Sequence, residues 1–138
     1  MTFAHNSEEV FAEHLDLFGI EWIYEPTSFP LKWGSGSIKM MFTPDFFIPS
    51  LDTYVEITTM NQNLITRKAQ KIKKAKKLYP DKNFKLINEK EFYNFLEIDN
   101  RDLVQKTIAS WFNKQFFRIL NSRDFSNFDF FFNCCITH

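Results

Sequence analysis

Two short apolar runs, Phe46-Phe47-Ile48 and Tyr54-Val55-Glu56-Ile57-Thr58, stand on either side of Pro49, Ser50 and Asp52. Aromatic and β-branched residues bounded by turn formers read as a β-hairpin. This hairpin carries an acid on each arm. Asp45 follows Pro44 at the entrance to the first run, and Glu56 lies inside the second, eleven positions later. Pairing of the two arms can bring these carboxylates together. Two converging carboxylates among oxygen donors are the minimal site for Mg²⁺ or Mn²⁺. Such an ion can polarise a phosphate and activate a water.

The chain has 138 residues, 44% hydrophobic and 25% charged, which suits one globular domain with a core of its own. No apolar run reaches the length of a membrane span, and the opening Met1-Thr2-Phe3-Ala4-His5-Asn6 lacks the pattern of a signal peptide. The cysteines, Cys134 and Cys135, are adjacent, so they supply neither a zinc spacing nor a disulfide framework. The expectation is an intracellular protein of the cytoplasm or of an organelle stroma or matrix, not a secreted one.

A formal net charge of +0 conceals a division along the chain. Residues 1–60 carry nine acids against two bases, Lys32 and Lys39, whereas residues 61–100 carry ten bases against five acids. Seven of those bases fall between Arg67 and Lys77 with no acid among them. An acidic half beside a basic helix suits an enzyme that holds a cation and docks a polyanion such as DNA. The plainer reading of the same run is a solvated helix face.

Along the chain, Ser7-Glu8-Glu9 opens a first helix with Ser7 as its cap, and Gly19 closes it. Phe11, Leu15 and Phe18 make its apolar stripe, and Glu8 falls at the end of that stripe. Residues 20–25, 29–33 and 38–42 read as strands, with Gly34-Ser35-Gly36-Ser37 as a turn between the last two and Trp22 and Trp33 as core residues. Leu64 to Tyr79 reads as a basic amphipathic helix, followed by a strand over 84–88 and a short helix over 90–96. The order predicts an α/β fold, an α+β sandwich of one sheet between helices. Residues 1–99 form the expected core. Residues 100–138 form a C-terminal extension with a helix over 101–120 and the aromatic stretch Phe125 to Phe132, a possible contact between copies in a homodimer or higher oligomer.

Glu8 on a first helix, Pro44-Asp45 at a strand start and Glu56-x-Thr58 on the next strand resemble the signature of the PD-(D/E)XK nuclease superfamily. A finer likeness is to nuclease-like domains found fused to some bacterial hypoxanthine phosphoribosyltransferases. Those share patterns that read here as Glu25-Pro26-Thr27-Ser28-Phe29-Pro30-Leu31, Thr43-Pro44-Asp45-Phe46, Glu56-Ile57-Thr58-Thr59-Met60 and Arg67-Lys68. The likeness spans about residues 7–96. It implies a restriction-endonuclease-like central mixed sheet flanked by helices and Mg²⁺- or Mn²⁺-dependent hydrolysis of DNA phosphodiesters, of homing, junction-resolving or restriction type. Asp45, Glu56 and the Ile57 carbonyl would hold the ion, with Glu8 acting through water or on a second ion.

The resemblance breaks at one position, because the signature lysine is replaced by Thr58. A hydroxyl is neither a cation nor an effective base. Lys68 is the replacement of choice. It precedes Ile72 by four positions and Ala75 by seven, so it shares the helix side that faces the sheet, and its stem can lie on apolar surface. Lys71 is the second choice for that role, and Arg67, Lys71, Lys73, Lys74, Lys76 and Lys77 are the expected phosphate contacts. Two rival readings stand beside the endonuclease: a nuclease-fold module that binds nucleic acid without turnover, and an accessory domain of a nucleotide-metabolising protein. Taken singly, a Pro-Asp is a turn, a strand Glu faces solvent and a Glu behind an N-cap steadies a helix. Their joint order is what carries the resemblance.

Overall fold

The structure, a computed structural model, describes residues 2–59 and 62–111. It begins with α1 (Asn6–Leu17), β1 (Ile23–Tyr24), β2 (Phe29–Gly34) and β3 (Ser37–Phe42). The hairpin of β4 (Phe46–Ile48) and β5 (Thr53–Thr58) follows, turning through a 3₁₀ turn at Pro49–Leu51. Then come α2 (Gln62–Leu78), β6 (Asn83–Asn88), α3 (Glu89–Glu97) and α4 (Arg101–Ala109).

The fold is mixed α/β. The main sheet has the order β1-β4-β5-β6, with β1, β4 and β5 antiparallel and β6 parallel to β5. A parallel neighbour needs a crossover, and α2 supplies it. β2 and β3 do not extend this sheet. They form a separate two-stranded ribbon, because Phe29, Leu31 and Phe42 at its root bury themselves against α2 and Phe84 instead.

Alternation along each strand sends side chains to opposite faces. Phe46, Ile48, Val55, Ile57 and Ile87 meet α1, α3 and α4 in the larger core, with Phe11, Leu15, Phe92, Phe95, Val104, Ile108 and Trp111. The opposite face carries a smaller core of Phe29, Leu31, Phe42, Ile72, Ala75 and Phe84, under α2 and the ribbon. A side chain such as Phe11 or Phe46, fully removed from water, stabilises the fold by about 1.5–3 kcal/mol. The two acids of the hairpin lie on the α2 face.

Several boundaries differ from those expected. The strand over 20–25 shrinks to Ile23–Tyr24, which pair with Phe47 and Phe46 of β4. The cap of α1 is His5 rather than Ser7, because Glu8 reaches back to the amides of Ala4 and His5 and winds the helix one turn-fraction earlier. Gly19 does close α1: it takes a positive φ of 69°, Ile20 N–H donates to Leu15 O and Gly19 N–H to Asp16 O, a Schellman end. Trp22 packs on the larger core, but Trp33 is 56% exposed because the ribbon leaves the sheet before that residue. Of the helix expected over 101–120, Arg101–Ala109 forms α4 and residues 110–111 make a turn; positions 112–120 and the aromatic stretch of 125–132 lie outside the described residues.

Candidate active site

Register decides the site. Phe46 pairs with Val55, so Asp45 falls opposite Glu56, one residue beyond the last ladder pair. The two side chains then bond crosswise to backbone. Asp45 N–H donates to Glu56 Oε1 at 3.0 Å, and Ile57 N–H donates to Asp45 Oδ2 at 2.9 Å. The carbonyl of Asp45 accepts Glu25 N–H at 2.9 Å, which pins the same residue to the end of β1. Both acids are buried, Asp45 6% and Glu56 5% exposed.

Burial penalises charge. It pushes the Asp45 carboxyl up to about 9, helped by the negative Glu56 beside it, while the Ile57 amide and Lys68 pull the other way. Glu56 is raised by burial too, against the opposing pull of its bonds to Asp45 and of Lys68. Without an added cation the pair therefore retains a proton at neutral pH.

Lys68 comes up from α2 to this pair. Its Nζ donates to the Ile57 carbonyl at 2.8 Å and stands 3.7 Å from Glu56 Oε2. The ammonium touches two of the three oxygen groups expected to hold an ion, so it acts as a stand-in cation there. Asp45, Glu56 and the Ile57 carbonyl are hard oxygen donors at one spot and fit Mg²⁺ or Mn²⁺.

Glu8 has other work. Its Oε2 accepts from Ala4 N–H at 3.0 Å, His5 N–H at 3.2 Å and Tyr24 O–H at 2.8 Å. Its charge reaches Glu56 and raises it slightly. However, among the described residues no group of three or more His, Cys, Asp and Glu side chains comes together to hold a metal. The acid pair stands without Glu8 as a third member. Burial drives the Tyr24 hydroxyl well above its usual pKa, so it stays a donor.

No protein-family model, curated protein or solved structure matches the chain.

Thr58 follows Glu56 on the same strand face but turns away from the acids. Its hydroxyl donates to the Ile87 carbonyl of β6 at 2.9 Å, and it is fully buried. Lys71 spends its ammonium on the Met41 carbonyl of β3 at 3.1 Å, which anchors the ribbon. Arg67, Lys73, Lys76 and Lys77 are exposed along α2, and Lys74 is half-buried. Tyr24 and the Glu25 amide were missed in the sequence. Their only signal was the short apolar run before Pro26, whose pairing partner no local pattern names.

Proposed function

We propose that this chain is a metal-dependent DNA endonuclease of the PD-(D/E)XK type, built on a restriction-endonuclease-like fold. One observation carries the reading: two buried acids clasped across β4 and β5, with the Lys68 ammonium 2.8 Å from the Ile57 carbonyl beside them. Two acids, a carbonyl oxygen and an ammonium at one spot are the parts that phosphodiester hydrolysis uses.

When bound, Mg²⁺ or Mn²⁺ supplies Lewis acidity at the phosphate and lowers the pKa of a water. Asp45 and Glu56 must give up their shared proton to hold it, and the backbone clasp keeps both carboxylates in place as they do. Lys68 then has an ammonium free for the negative charge that grows on the phosphoryl oxygens. Its flexible stem suits that exchange of partners. Arg67 and the exposed lysines of α2 hold flanking phosphates.

A second reading rests on the same lysine. Lys68 already offsets the charge of Glu56 with no divalent ion, as a nucleic-acid-binding module without turnover would have it. Incubation with plasmid, branched and single-stranded DNA in Mg²⁺, Mn²⁺ or EDTA separates the two. The endonuclease yields products only with metal, and Asp45→Ala or Glu56→Ala abolishes them while DNA binding persists. Binding without products under every condition decides for the module.

A further inference from the structure

The β2–β3 ribbon is anchored at its root and bare at its end. At the root, Tyr79 O–H donates to the Pro30 carbonyl at 2.7 Å and Lys71 to the Met41 carbonyl. Toward the end, Trp33 and Ile38 face each other across the strands and are 56% and 48% exposed. Met40 and Met41 are exposed as well. Side chains of this size are rarely left together in water without a partner.

The charge of the ribbon narrows the partner. Residues 29–42 contain Lys32 and Lys39 and no acid. A Cβ at position 34 would collide with the Lys39 side chain, so Gly34 leaves the room that lets the lysine stem cross the strand next to Trp33. An exposed indole on a ribbon whose charged side chains are both lysines matches a polyanion that also offers flat apolar faces. The ribbon is rooted beside the acids, since Phe42 is followed by Thr43, Pro44 and Asp45. From the level of Phe42 to that of Ile38 is about 13 Å of strand.

We infer that the ribbon is a base-stacking arm, on which Trp33 takes an unpaired base of a nucleic-acid strand whose phosphates lie on Lys32, Lys39 and α2. Inside a duplex the base faces are covered by their neighbours, so an indole needs a single-stranded, flapped or branched segment. The inference rests on the nucleic-acid reading of the acid site and names its substrate class: DNA with unpaired bases near the cut.

The test uses the full chain in EDTA, so that no cleavage is needed. A single-stranded oligonucleotide, the same sequence as a duplex, and anionic phospholipid vesicles are titrated while tryptophan fluorescence is read. Trp22 is half-buried and Trp111 buried, which leaves Trp33 as the reporter. The single strand is expected to quench the wild type. Trp33→Phe should keep the affinity and lose the quench, and Trp33→Ala should bind the single strand about tenfold more weakly with duplex affinity unchanged. Undiminished single-strand affinity in Trp33→Ala overturns the inference. So does quenching by vesicles and not by DNA, or a Trp33→Ala protein that only changes its oligomeric state. Failure of the cleavage assay leaves this result readable. Conversely, equal cutting of plain duplex by wild type and Trp33→Ala, with no quench, removes the arm and keeps the endonuclease.

Discussion

Asp45 and Glu56 each hold the backbone that carries the other: the Asp45 amide donates to Glu56 Oε1, and Asp45 Oδ2 accepts the amide that follows Glu56. Neither acid depends on a flexible neighbour for its position. Charge is what remains adjustable in such a pair.

The first consequence concerns pH. The Asp45 carboxyl sits at about 9 in the fold against an ordinary 3.8 in the unfolded chain. The fold therefore binds one more proton than the unfolded chain across that window, and stability falls as pH rises through it. Metal-free protein should melt several degrees lower at pH 8.5 than at pH 5.5, both within that window. Asp45→Asn should be flatter over the same range and more stable at its upper end. Parallel melting curves for the two proteins in EDTA would refute this.

Lys68→Ala should lower the cleavage rate by roughly 10²–10³, the cost of removing one charge-stabilising donor, with a much smaller loss of affinity. Thr58→Lys in that background should not restore activity. Thr58 is fully buried and bonded to the Ile87 carbonyl, so a lysine there overpacks the β5–β6 seam at a cost of about 1–3 kcal/mol. Single-turnover rates and thermal melts together read both effects. A rescued rate with unchanged melting would mean that the β5 position still serves the site.

Binding to duplex DNA should weaken steeply with salt, with a slope near −0.9 per phosphate contact. Replacing Lys73, Lys74, Lys76 and Lys77 with Gln should flatten it, whereas Lys71→Gln should leave the slope and loosen the ribbon, since Lys71 is tied to the Met41 carbonyl. A salt titration of all three proteins checks the division, and an unchanged slope in the quadruple variant would make the helix face a merely solvated one.

Glu8→Ala should destabilise the protein by about 2–3 kcal/mol, because two amides and the Tyr24 hydroxyl lose one shared acceptor. Tyr24→Phe should cost about 1 kcal/mol. If Glu8→Ala instead keeps its stability and loses only activity, Glu8 belongs with the ion after all. Chemical denaturation beside the cleavage assay distinguishes the outcomes.

The acid hairpin was legible because its information is local. Turn residues, apolar arms and an eleven-residue offset are enough to set Asp45 across from Glu56. The place of Lys68 followed from helical spacing against Ile72 and Ala75. Three things could not be read that way. Thr58 chose its partner from a strand 29 residues away. Glu8 has the same three-residue spacing whether it caps a helix or faces an ion. The ribbon looked like two more strands of the sheet, since alternation states which residues share a face and not which strand lies alongside.

The two cores differ in size, and α2 with the ribbon rests on the smaller. Layers with fewer buried side chains open at lower cost than the rest of a domain. Lys68 travels with α2, so every opening of that layer lifts the ammonium from Glu56 and the Ile57 carbonyl together. Burial beneath that layer is what holds both carboxyls above their ordinary range, so a protonated pair favours the closed layer and ionisation favours its opening. The protonation of two buried side chains and the fastening of a whole helical layer are thus a single equilibrium.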